Sequence, residues 1–82
     1  MMQLEQQLKS TQSIREAIKL CTQYLETHHI GEAKENAELL FLHIAKWNRA
    51  TLLMNMMDRL NEEWITSYSE AITRKAKGEP LQ

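Results

Sequence analysis

Four side chains in this 82-residue sequence, Cys21, His28, His29 and His43, are of types that act as nucleophile, base or metal ligand. A nucleophilic cysteine needs a lowered pKa and a base beside it. Cys21 instead shares a helical face with Ile14, Ala17, Ile18 and Leu25, which predicts a packed core cysteine. His28 and His29 are adjacent, so on a helix they diverge by about 100° and do not readily share an ion. None of these residues shows the paired spacing of a zinc motif. His28 and His29 therefore read as solvated histidines near a helix end. His43 lies in a mostly apolar segment, where a partly buried, hydrogen-bonded ring is expected rather than a catalytic one. Among the carboxylates, Glu62 and Glu63 suit a helix start, and Glu35 and Glu38 a solvated edge. With only Gly31 and Gly78, a glycine-rich phosphate cradle is not available. No active site is visible, and the remaining cues are surfaces. Met54, Met56 and Met57 have the softness of an adaptable binding patch, although at helical spacing beside leucines they are expected in the core. The basic run Arg74–Lys77 suits an acidic partner, but helix carboxyl ends attract cations in any case.

Composition narrows the class. Hydrophobic residues make up 43% and charged residues 26%, which are globular values and not those of a disordered chain. Aromatics are few, Gly and Pro are rare, and alternating β-branched runs are missing, so helices are favoured over sheet. A chain this short buries only about 60% of its unfolded surface, enough for one domain over residues 1–82 with modest reserve. The formal charge of −1 lacks the basic field of a general nucleic-acid binder. The lone Cys21 excludes an internal disulfide and fits a reducing compartment. The opening MMQLEQQLKS has no apolar core of signal-peptide length. The longest apolar run, Leu39–Leu42, falls far below the ~20 residues that cross a bilayer. A cytoplasmic location without a membrane partner is expected.

The elements that must position these residues read as helix throughout. Ala33–Ala45 is the most apolar stretch, with Ala33, Ala37, Leu40, Phe41 and Ile44 on one face and Leu39 and Leu42 widening it. Such a helix is expected at the centre, with the other segments around it. Before it, Ser13-Ile14-Arg15-Glu16 is a capping box opening a helix to about His28, with Gly31 as its left-handed stop. Residues 1–12 carry only Leu4 and Leu8 as an apolar pair and read as a frayed terminus or a short helix. After the central helix, Asn48 is expected to cap a short helix, Arg49–Met57, with Leu52, Leu53, Met56 and Met57 buried. Arg49 then stands in a first turn, where the macrodipole disfavours a cation, so a carboxylate partner or an outside role must hold it. Asn61 caps the last helix, and Leu60 with Ile65 staples it. Trp64, Ile65, Tyr68, Ala71, Ile72 and Ala76 line its inner face, Glu70 and Arg74 form an exposed pair, and Gly78 followed by Pro80 ends it. The outcome expected is an all-α, small up-and-down bundle of four to five helices.

Three ordered segments resemble one family. Ala33-Lys34-Glu35-Asn36-Ala37-Glu38-Leu39-Leu40-Phe41-Leu42-His43-Ile44, then Arg49-Ala50-Thr51-Leu52, then Arg74-Lys75-Ala76-Lys77-Gly78-Glu79-Pro80-Leu81-Gln82, resemble the amino-terminal domain of the HemK/PrmC family. Its pattern is roughly A-R-x-D-A-E-L-L-L-x-H-V, a following S-R-x-x-L, and R-R-x-x-G-E-P-x-x-Y. Asn36 stands where the family usually has Asp, and Lys46 where a glycine often closes the central helix, which suggests a wider turn there. The family's members are peptide-chain release factor glutamine methyltransferases. The resemblance implies a domain that helps to bind a class-1 peptide-chain release factor while a separate catalytic domain methylates the glutamine of its Gly-Gly-Gln motif. S-adenosyl-L-methionine belongs to that catalytic domain, so this chain is expected to hold no catalytic, cofactor or metal residue and to have no activity alone. Residues 78–82 would begin the linker to it. Arg49, Arg74, Lys75 and Glu79 are the candidates for partner contact; Arg74, Lys75 and Glu79 are also placed to serve the junction with the catalytic domain. The alternative is a free-standing helical adaptor of unknown partner.

Overall fold

Side-chain caps open three of the five helices in the computed structural model, which describes residues 3–78. The helices are α1 (Gln3–Ser10), α2 (Ile14–Thr27), α3 (Ala33–Ala45), α4 (Arg49–Met54) and α5 (Glu62–Ala76), with no strand among the described residues. The all-α bundle expected from the sequence is therefore what forms. Asn48 Oδ1 accepts from the Thr51 N–H at 2.8 Å, and Asn61 Oδ1 from the Trp64 N–H at 2.7 Å. At α2, Ser13 Oγ accepts from the Glu16 N–H at 3.2 Å. Glu16 closes the box one residue earlier than a standard capping box does, taking the Gln12 N–H at 2.8 Å. The Ser13 N–H is thus not its partner. The other two first-turn donors of α2 find backbone acceptors far along the chain. Ile14 N–H donates to the Asp58 carbonyl at 2.7 Å and Arg15 N–H to the Met56 carbonyl at 2.9 Å. The first turn of α2 is fully satisfied, and the segment after α4 is pinned to it.

The helix ends depart from expectation in an instructive way. His29, not Gly31, takes the left-handed conformation after α2, with φ at 63°. Its N–H donates to the Glu26 carbonyl and the Ile30 N–H to that of Leu25, each at 3.0 Å, which is a Schellman turn. The turn's register, set by the last helical carbonyls, decides which residue goes left-handed, and histidine is one of the side chains that tolerates it. Lys46 does the same after α3, at φ 60°, and the Trp47 N–H donates to the Leu42 carbonyl at 3.1 Å. The wider turn suggested by a lysine there is not formed; the tight turn persists with a strained residue in it. Only Gly78 follows the rule, at φ 85°. Replacing Lys46 with glycine removes a left-handed penalty of about 1–2 kcal/mol and adds unfolded-state entropy worth about 0.4–1 kcal/mol. Lys46→Gly is therefore expected to stabilise the fold by roughly 0.5–1 kcal/mol, read as a higher melting temperature.

α2, α3 and α5 pack on one another, and α1 packs on α5. The core they share contains Ile14, Ala17, Cys21 and Leu25 of α2, Ala37, Leu40 and Phe41 of α3, and Ile65, Tyr68 and Ile72 of α5. Leu4 and Leu8 are buried, so residues 3–10 form the short helix, one of the two readings, and not a frayed terminus. One expectation changes. α3 is not buried on all sides, because Leu39 is 43% exposed and His43 faces solvent. The helix that touches α1, α2 and α3 alike is α5. Trp64 of α5 is only half-buried, and Ser69, overlooked in the apolar pattern, is fully buried with its hydroxyl donating to the Thr66 carbonyl at 3.0 Å. Glu70 and Arg74 form no ion pair.

Candidate docking surface

The groups of types that could do chemistry divide between a buried cysteine and three exposed histidines. Cys21 is fully buried, and burial pushes its thiol up to about 12, with a hydrogen bond to Tyr68 opposing the shift. Burial likewise holds the Tyr68 phenol well above its ordinary range. Its hydroxyl donates to the Ala37 carbonyl at 2.7 Å and so ties α5 to α3. Both groups are neutral at physiological pH and closed to substrate. His28 and His29 are exposed; His28 Nδ1 lies 2.8 Å from the Tyr24 carbonyl, and its ring leans on Tyr24 at 4.4 Å. His43 is exposed too, against the partly buried position expected of it. No group of three metal-ligating side chains gathers among the described residues. What these residues can offer is a surface.

That surface lies around α4. The helix stops at Met54, three residues short of the expected end, so only one narrow face turns inward. Leu52 is buried and Met56 half-buried, but Leu53 is 72%, Met54 83% and Met57 73% exposed. The core placement expected of Leu53, Met54 and Met57 is overturned. The cause is the pinning of the Met56 and Asp58 carbonyls to the start of α2, which ends α4 early and fixes the course of the following turn. Apolar side chains displayed on a held backbone, rather than scattered singly, are what interaction surfaces use.

Beside them runs a groove of about 430 Å³ between α2, α3 and α4. Ile18, Leu53 and Met56 give it apolar wall, and Arg15, Lys19 and Lys34 line it with charge. Its one carboxylate among the described residues, Glu38, is taken by Arg49, whose Nη1 donates to Oε1 at 2.9 Å. Arg49 thus has the carboxylate partner that its unfavourable place called for, and Glu38 is not merely a solvated edge. Arg74 and Lys75 sit in the last turn of α5, as the dipole favours, and no described contact joins them to Arg49. Glu79 lies outside the described residues, as do Pro80 and all but the first residue of the expected linker. The sequence carries one electrostatic signal for the groove. Arg15 and Lys34, like Arg49, are cations in the first turn of a helix, where the dipole opposes them.

The family model for the PrmC N-terminal domain matches residues 16–82. The chain belongs to that family. It is 33% identical over 69 residues to release factor glutamine methyltransferases of Bacillus anthracis and Bacillus cereus, covering 84% of this chain and 24% of each relative. The corresponding enzyme of Mycobacterium leprae is 35% identical over 69 residues, covering 84% of this chain and 23% of its own length. The chain thus spans about a quarter of the length of these methyltransferases. No solved structure matches it significantly. Family membership confirms the resemblance carried by the A-E-L-L, R-A-T-L and G-E-P segments. Asn36 lies in the first turn of α3. Its Nδ2 donates to the Gly31 and Glu32 carbonyls at 3.0 and 3.1 Å, bonds that a carboxylate has no hydrogen to make. Among the described residues, no helix is long and apolar enough to cross a membrane.

Proposed function

We propose that this chain is the substrate-recognition domain of a release factor glutamine methyltransferase and acts in the cytoplasm. It helps to hold a class-1 peptide-chain release factor while a separate catalytic domain, using S-adenosyl-L-methionine, methylates the glutamine of the Gly-Gly-Gln motif. The observation that carries this reading is membership of the PrmC N-terminal domain family in a chain spanning about a quarter of its methyltransferase relatives. Residues 1–82 then form one recognition domain, and residues 78–82 lead towards the catalytic domain. Arg49, Arg74, Lys75 and Glu79 are the candidates for contact with the release factor, Arg74, Lys75 and Glu79 serving alternatively at the junction between domains. The chain contributes neither a catalytic group nor a cofactor site. Its contribution is effective concentration and orientation of a large protein substrate.

Calorimetric titration with a class-1 release factor, beside the full-length parent enzyme, tests this reading. The isolated chain is expected to bind with a Kd on the order of tens of micromolar, and the parent more tightly. Binding by the parent alone would move recognition elsewhere and make this domain a structural cap. Arg49→Ala is expected to weaken binding with little change in melting temperature, because an exposed ion pair contributes only about 0–1 kcal/mol. The reverse pattern, a lower melting temperature with intact binding, would give Arg49 a structural role.

A further inference from the structure

We propose that the groove between α2, α3 and α4 takes an acidic, amphipathic segment of the release factor, seating its apolar side chains against Leu53 and Met56. This rests on the docking reading above and assigns it a face and a chemistry. Charge makes the first argument. Arg15, Lys19 and Lys34 line the groove, and none has a carboxylate within ion-pair distance among the described residues. The single lining carboxylate among the described residues, Glu38, is occupied by Arg49. A chain of net charge −1 thus gathers unpaired cations at one place.

The fold makes the second argument, because these cations oppose their own helices. Arg15 is in the first turn of α2 and Lys34 in that of α3, where the macrodipole favours anions. Arg15 and Lys19 are also four apart on one helix, a repelling like-charge spacing. Neither arrangement helps the bundle, and both are relieved by an anionic ligand lying across them.

Apolar surface makes the third argument and decides the class of partner. Leu53 is both groove wall and largely exposed, and exposed Met54 and Met57 continue the apolar surface beyond it. No aromatic side chain lines the groove. Single-stranded nucleic acid is held by stacking on aromatic platforms, which are missing here. Methionine and leucine beside cations suit the leucine-class side chains of an acidic helix laid in a groove.

The test is titration of a class-1 release factor into wild-type chain, into R15E/K19E and into L53S, with K9E, at an exposed position of α1, as a remote control. A carboxylate at position 15 suits the start of α2, and Lys19 and Leu53 are exposed, so both groove variants are expected to keep the wild-type circular dichroism and melting temperature. Each is expected to bind at least tenfold more weakly than wild type, with K9E within twofold. Wild-type affinity is expected to fall with added salt, and that of R15E/K19E to change much less. Unaltered binding by both groove variants beside a binding wild type would overturn this inference and leave the docking reading standing. Failure of the wild-type chain to bind while the parent binds would sink both. Tighter binding of an RNA oligonucleotide than of the release factor would replace the protein partner with nucleic acid. In the parent enzyme, the groove substitutions are expected to raise KM for the release factor with kcat and melting temperature unchanged. An unchanged KM with a lower melting temperature would show that the catalytic domain covers the groove instead.

Discussion

Phe41→Ala is expected to destabilise the bundle by about 3–5 kcal/mol, the range for removing a buried large aromatic. Phe41 is fully buried and is the one ring that meets all the others around it. Its centroid lies 5.8 Å from Trp47, 5.6 Å from Trp64 and 5.5 Å from Tyr68, each edge-on, with interplanar angles of 77°, 83° and 70°. Edge-to-face pairs contribute about 0.5–1.5 kcal/mol each beyond buried area, so the loss is not of area alone. The rings come from α3, from the turn after it and from α5, so collapse into the gap would require three segments to move together. At about 0.05–0.15 kcal/mol per residue, the whole fold is stable by roughly 4–12 kcal/mol. The substitution therefore removes a large fraction of the total. Urea denaturation followed by tryptophan fluorescence measures it, since Trp47 and Trp64 both border the cavity. A loss below about 1 kcal/mol would show that Trp47 and Trp64, themselves 5.1 Å apart, close the space unaided.

This aromatic cluster also marks how far the sequence could be read. Helical periodicity placed Phe41, Tyr68 and Ile72 inside, because a face recurring at three and four residues is a local property of the chain. The caps at Ser13, Asn48 and Asn61 were legible for the same reason: each bond closes within three residues. The misreadings share the opposite cause. Leu53, Met54 and Met57 look like core until the Met56 and Asp58 carbonyls are seen bonded to the first turn of α2, more than forty residues earlier. The left-handed residues His29 and Lys46 carry no local signal, since glycine marks such positions by composition whereas the register of the last helical carbonyls decides them. The groove was illegible as a shape, since Arg15, Lys34 and Leu53 meet only when three helices pack. Its electrostatic signature was nonetheless present in the sequence, in cations standing at helix starts.

Leu8→Ala is expected to cost about 2–5 kcal/mol, although residues 1–12 read as the least committed part of the sequence. Leu8 is fully buried and Leu4 nearly so, both in α1, which packs on α5. An eight-residue helix is not stable in water by itself, so α1 exists because these two leucines dock. Polar contacts then hold its ends. The Thr11 hydroxyl and N–H both donate to the Leu8 carbonyl, at 2.6 and 3.1 Å, and the Thr66 hydroxyl donates to Glu5 at 3.3 Å. This dependence sets a ceiling on the effect. If emptying the Leu8 site costs more than α1 gains by docking, the helix detaches and the loss stops there. Gln7→Ala, on the exposed side of the same helix, is expected to stay within about 0.5 kcal/mol of wild type and serves as the control. Amide exchange separates the two routes. Uniformly faster exchange throughout α1, α2, α3 and α5 is expected if α1 belongs to the cooperative core, because the substitution then lowers the global unfolding free energy. Fast exchange confined to residues 4–10, with α2, α3 and α5 protected as before, would mean that α1 is an appendage whose removal the three-helix core survives.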